Sequence, residues 1–140
     1  MEWTSNSPEE TIELGKRLLS EFPEVEMICL RGPLGSGKTC FTKGIGAALN
    51  VKPDTMRSPT FTTLFEYPGD QKLFHCDFYR YETASDVDVN WWMELIETPD
   101  SVVVVEWAER IEPHLPEKRL EVEFLDLGGN QRKLILKHHL

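Results

Sequence analysis

Long apolar runs are missing from this sequence: the longest, Met27 to Leu30 and Val102 to Val105, have four residues each, whereas a membrane helix needs about 20. No segment is expected to span a bilayer. Cysteine is scarce, with Cys29, Cys40 and Cys76 making three, an odd number without a CxxC pair or a Cys/His cluster at metal spacing. That argues against a disulfide framework and a structural zinc and leaves reduced thiols. Positive charge is in deficit: 15 Lys and Arg face 24 Asp and Glu, giving a formal net charge of −9 and a pI near 4.9. Such a surface is poorly suited to general adhesion to phosphate backbones or anionic membrane, so a nucleic-acid role would need a partner. The opening MEWTSNSPEE carries acids where a secretory signal carries a basic patch and an apolar stretch, and the expected location is the cytoplasm. Internal repeats and low-complexity linkers are absent as well.

What remains suits one folded domain. The 140 residues are 40% hydrophobic and 10% aromatic, enough for a sizeable core in a chain that hides about two-thirds of its surface on folding. Ser7-Pro8-Glu9-Glu10 has the form of a capping box with Pro at the first helical position, and Leu14, Leu18 and Phe22 follow at spacing four, predicting an amphipathic helix. Val25 to Arg31 reads as a strand entering a Gly-rich turn, and Lys38 to Leu49 as a helix stopping near Asn50. Thr60 to Tyr67 and Lys72 to Asp77 are β-prone runs around PGDQ, consistent with a hairpin. The all-valine run 102–105 suits a central parallel strand covered on both faces. Leu120, Val122 and Phe124 alternate with Glu121 and Glu123 before a Gly-Gly turn and the triplet Leu134 to Leu136, which predicts an edge hairpin at the tail. Between Glu82 and Asp100, Trp91, Trp92, Met93, Leu95 and Ile96 fit a helix or a loop with a sticky face.

The strongest chemical signal is Gly32-Pro33-Leu34-Gly35-Ser36-Gly37-Lys38-Thr39, a full GxxxxGK[ST] match between a strand and a helix. Glycines let the backbone turn its N–H groups around phosphate oxygens, and the helix N-terminus adds positive potential at the same spot. Lys38 would reach the terminal phosphates and the Thr39 hydroxyl would ligate Mg²⁺. A glycine turn that merely happens to contain Lys and Thr would meet the pattern on the order of once in a few hundred chains this long. Nucleotide binding is therefore the expectation.

Folds of this kind need an acid at the end of a neighbouring strand to hold Mg²⁺ or its waters and to orient an attacking water. Glu106, directly after the valine run, and Asp77, closing Leu73-Phe74-His75-Cys76-Asp77, both qualify. Either could instead be a surface acid after a strand. His75 and Asp77 share a face of an extended segment but lack a third metal ligand, so a hydrogen-bonded structural His is favoured over zinc. Trp107 could stack on a base or simply pack. Arg57-Ser58-Pro59-Thr60-Phe61-Thr62 is either a γ-phosphate sensor or an ordinary Ser-Pro loop. Arg80 could bind phosphate or a partner, or pair with an acid.

In this order, GPLGSGKTCFTKG, SPTFT, HCDFYR, VEWAER and LPE make the sequence resemble the TsaE (YjeE) family of small P-loop ATPases over most of Gly32 to Glu117. The resemblance implies one ATPase domain over residues 1–140. Its fold would be α/β and P-loop NTPase-like, a mostly parallel sheet flanked by helices with a C-terminal hairpin. It implies ATP and Mg²⁺ as ligands and an ATP-hydrolysing role, with TsaD and TsaB, in placing threonylcarbamoyl on the adenosine beside the tRNA anticodon. It maps ATP contacts onto Gly35, Ser36, Gly37, Lys38, Thr39 and Cys40, magnesium onto Thr39 and Glu106, a functional acid onto Asp77 and the family's usual Trp onto Trp107. Ser7, at the first helix cap, and Arg132, after the last turn, fall where family members approach the nucleotide. Pro33 stands where the family usually has Asp, Cys40 where a second Thr is usual, and Thr63 where Leu is common. Ser85 to Thr98 lacks the familiar acidic-Leu-Gly pattern and carries Trp91-Trp92 instead. Two other functions use the same loop: a small-molecule kinase, and a nucleotide-dependent binding module with Trp91 and Trp92 as an exposed interface. GTP is disfavoured because no NKxD motif occurs.

Overall fold

A computed structural model of the chain describes residues 1–52, 56 and 64–139. Seven strands form one sheet: β1 (Glu2–Ser5), β2 (Met27–Arg31), β3 (Leu64–Tyr67), β4 (Lys72–Asp77), β5 (Ser101–Glu106), β6 (Leu120–Gly128) and β7 (Gln131–His138). Their order is β1-β7-β6-β2-β5-β4-β3. The middle four, β6, β2, β5 and β4, run parallel, and the antiparallel pairings flank them on both sides.

Parallel strands covered on both faces leave no solvent side for polar alternation, and β5 is buried along its whole length. On one face α1 (Pro8–Glu21) and α2 (Lys38–Ala48) set Leu18, Phe41 and Ile45 against Ile28, Leu30, Val104 and Val122. On the other, α3 (Val89–Ile96) and a 3-10 stretch, Ala108–His114, set Trp92, Leu95 and Ile111 against Cys29, Cys76, Val103 and Val105. Residues Met27 to Leu30 of β2 thus alternate between two cores, which is why they read as an unbroken apolar run.

The predicted cap of α1 forms. Ser7 Oγ accepts from Glu10 N at 3.1 Å with Pro8 in the first turn, while the Glu10 carboxylate reaches back to Asn6 N at 2.6 Å, one residue earlier than in a standard capping box. α1 crosses α2 at Gly15 and Gly44, where a Cβ on either would collide with the other helix's backbone, at Phe41 O and Ile12 O respectively. This close crossing fixes the start of α2 beside the start of α1.

Two expectations need correction. The tail forms the predicted hairpin, β6–β7, but it is not the sheet's edge. β1 pairs with β7 and takes that place, while β6 sits beside β2. The segment around Trp91-Trp92 is a helix, and Trp92 is fully buried with its indole N–H donating to His114 O at 2.9 Å. It cannot belong to an exposed interface. The 57–62 loop lies outside the described residues.

Candidate functional site

β2 runs into the glycine turn and α2 leaves it, so the turn lies at the carboxyl ends of the parallel strands, where ligands bind in open α/β sheets. Gly37, the N-cap of α2, has φ 104°, a left-handed conformation that costs a side-chain-bearing residue dearly. Being Gly, it also brings no side chain to cap the first-turn N–H groups of the helix. In front of them opens a cleft of about 900 Å³ lined by the turn and by Lys38, Thr39 and Cys40 on one side, and by Asp77, Tyr79, Glu106, Trp107 and Glu109 on the other.

Lys38 is buried and donates from Nζ to Gly32 O at 2.8 Å, with Glu106 Oε1 3.6 Å away. The second oxygen of Glu106 lies 2.6 Å from His75 Nε2, and His75 is buried too. The β4–β5 register sets Asp77 directly opposite Glu106, so the two strand-end acids stand side by side. Asp77 Oδ1 accepts from Tyr79 N at 2.8 Å.

The two carboxyls are pushed in opposite directions. Burial raises Glu106, but the hydrogen bond and field of His75, together with Lys38, outweigh it and hold the group below the ordinary carboxylate range. Asp77 is raised, chiefly by burial and further by the charge of Glu106, against the Tyr79 N–H. Neighbouring acids split in this way are suited to different tasks, one staying ionised beside a cation and one exchanging a proton more readily.

Trp107 follows Glu106 with φ 57° and ψ 39°, an outlying conformation for so bulky a residue. Its ring is braced by the Arg110 guanidinium at 5.1 Å and by the Tyr79 ring, edge-on, at 5.1 Å. Arg110 also donates to Tyr81 O at 3.0 Å, tying together the segments that follow the two acid-bearing strands.

The residues present fit a triphosphate and a divalent cation. Ser36 Oγ, inside the turn, is buried without a hydrogen-bond partner among the described residues, as expected of a group waiting for an outside oxygen. No group of three or more His, Cys, Asp and Glu among the described residues is placed to hold a metal unaided. Thr39 and Glu106 would therefore need phosphate oxygens and water to complete a shell, which is the habit of Mg²⁺.

Three sequence candidates, Ser7, Ser36 and Arg132, are not among the residues lining the cleft; Ser36 lies within the turn with its side chain buried. Ser7 is engaged in capping α1, and Thr11 of that helix approaches the turn, its Cγ2 3.5 Å from where a Cβ on Gly37 would lie. Arg132 touches the turn by donating to Gly35 O at 3.3 Å while pairing with Asp126 at 3.0 Å. Conversely, sequence reasoning passed over Tyr79 and Glu109, each two residues beyond a recognised site residue, a spacing that could have flagged them. Cys29 and Cys76 are buried, and burial pushes the Cys29 thiol up to about 12 and the Cys76 thiol also up. Only Cys40 of the three lines the cleft.

Comparison with known proteins bears on the whole arrangement. The family model described as "Threonylcarbamoyl adenosine biosynthesis protein TsaE" matches residues 5–134. The tRNA threonylcarbamoyladenosine biosynthesis protein TsaE of Aquifex aeolicus is 42% identical over 130 residues, covering 91% of this chain and 89% of that one. Its namesake in Bacillus subtilis is 35% identical over 136 residues, covering 96% and 83%. The crystal structure of Bacillus subtilis YdiB superposes with a TM-score of 0.78 at 30% identity, over 100% of this chain and 86% of that one. With the family model matching residues 5–134 and relatives 42% and 35% identical over most of both chains, this chain belongs to the TsaE family.

Proposed function

We propose that this protein is the ATP-binding and ATP-hydrolysing component of the machinery that builds threonylcarbamoyladenosine in tRNA, working in the cytoplasm with TsaD and TsaB. The observation that carries the reading is the convergence of Lys38, Thr39, Asp77 and Glu106 on one cleft at the N-terminus of α2.

In that reading, Lys38 and the first-turn amides of α2 bind the phosphates, Lys38 exchanging Glu106 for a phosphate oxygen. Thr39 and Glu106 hold Mg²⁺, which supplies charge neutralisation at the phosphates. Asp77, with its raised carboxyl, orients water at the end of β4. Trp107 and Tyr79 offer aromatic faces at the cleft wall. The family membership supports the pathway, and the net charge of −9 supports reaching tRNA through partners rather than directly.

The test is ATP hydrolysis measured with and without purified TsaB and TsaD. Slow release of phosphate alone and faster release with the partners is the expected result. No hydrolysis even with both partners would point to a nucleotide-dependent binding module, and transfer of label to a metabolite would point to a kinase.

A further inference from the structure

We infer that His75 is a positioning residue for Glu106: its imidazole holds one oxygen of that carboxylate so that the other faces the cleft, and the cation-dependent part of nucleotide binding depends on it. This rests on the reading of the cleft as an ATP and Mg²⁺ site.

Among the described side chains, two reach the Glu106 carboxylate, Lys38 at 3.6 Å on Oε1 and His75 at 2.6 Å on Oε2. Phosphate would draw Lys38 away and leave His75 as the contact that fixes the carboxylate's rotation. The mount is rigid. His75 sits inside β4, paired in register with β5, and its side chain is 1% exposed against 8% for Glu106. A carboxylate or imidazole ligand steadied through its far atom by a second buried group is the usual way a protein aims a metal ligand.

The other ring nitrogen strengthens the case. His75 Nδ1 is buried with no hydrogen-bond partner among the described residues. An unpaired buried nitrogen is unfavourable, and an apolar side chain would fill the space without it. The imidazole's one polar engagement among the described residues is with Glu106, so that contact is what the residue type serves.

Calorimetric titration with ATP, in Mg²⁺ and in excess EDTA, tests this on the full chain as wild type, His75→Leu and His75→Gln. The wild type should bind in EDTA and more tightly with Mg²⁺. His75→Leu should keep the EDTA affinity but need roughly ten- to hundredfold more Mg²⁺ for the tighter mode, and His75→Gln, whose Nε2 reaches about as far as the imidazole Nε2, should restore it. A wild-type Mg²⁺ dependence in His75→Leu, or an equal loss with and without metal, overturns the inference while leaving the ATP site intact. Failure of the wild type to bind in either condition removes the ATP reading itself, and the inference with it. If His75→Leu does not fold, the imidazole ¹⁵N spectrum of the wild type decides. A hydrogen-bonded Nε2 that persists in Mg²⁺ and ADP supports the role, and its loss there overturns it.

Discussion

Asp77 and Glu106 are neighbours with opposite consequences for stability, and the sign of each follows from its environment. The folded value of Asp77 lies above its ordinary one, so its contribution is full below the ordinary carboxylate range and is lost as pH rises through the raised value. Asp77→Asn should therefore raise Tm at pH 7 and leave it nearly unchanged at pH 3, as followed by circular dichroism. Glu106 is lowered, so its contribution is present above the ordinary carboxylate range and is lost as pH falls through the folded value. Glu106→Gln should cost about 1–3 kcal/mol at pH 7, a penalty that shrinks in acid, and melts in which both variants move the same way would contradict the assignment. Much at this scale was legible in the sequence: the glycine turn, Lys38, Thr39 and both strand-end acids are local patterns. The bond from His75 to Glu106 was not, because it depends on how β4 registers against β5 across 31 residues of sequence. Nor was the left-handed backbone of Trp107, which its neighbours impose against its own preference.

At the scale of elements, α1 and α2 carry the account, since together they place the glycine turn. Ser7 caps α1 through Glu10 N, and Ser7→Ala should cost about 1 kcal/mol of stability in chemical denaturation. Gly44 tests the crossing. In an isolated helix, Gly→Ala is favourable by about 1 kcal/mol, but here the new Cβ would run into Ile12 O, a backbone atom that cannot step aside. Overpacking should win: Gly44→Ala is expected to destabilise by about 1–3 kcal/mol, and a more stable variant would show that the helices cross farther apart. α1, α2 and the C-terminal hairpin were readable from capping, periodicity and turn residues. β1 was not, because four residues with two facing inward form a strand only through pairing with β7, more than a hundred positions away. The 3-10 stretch Ala108–His114, interrupted by a non-helical Ile111 and holding Pro113, has no periodicity to find.

The whole molecule is a sheet whose parallel centre gathers segments far apart in the chain: Lys38 from the turn after β2, Asp77 from β4 and Glu106 from β5. The valine run marked a buried strand, but strand order is set by pairing between segments far apart in the chain, as between β2 and β5 and between β2 and β6, and local patterning does not reveal that. Net charge is a property of this scale too. At −9, the protein alone should not shift tRNA in a gel, even at low salt, where phosphate contacts are strongest. A salt-sensitive shift would place RNA recognition on this chain. The claim on which everything depends is that the gathered cleft grips a triphosphate through Lys38, and its most direct measurement is calorimetric titration of ATP into the wild type and Lys38→Ala side by side. Loss of charged hydrogen bonds of about 1.5–3 kcal/mol predicts roughly ten- to hundredfold weaker binding in the variant, whereas identical isotherms would contradict the account.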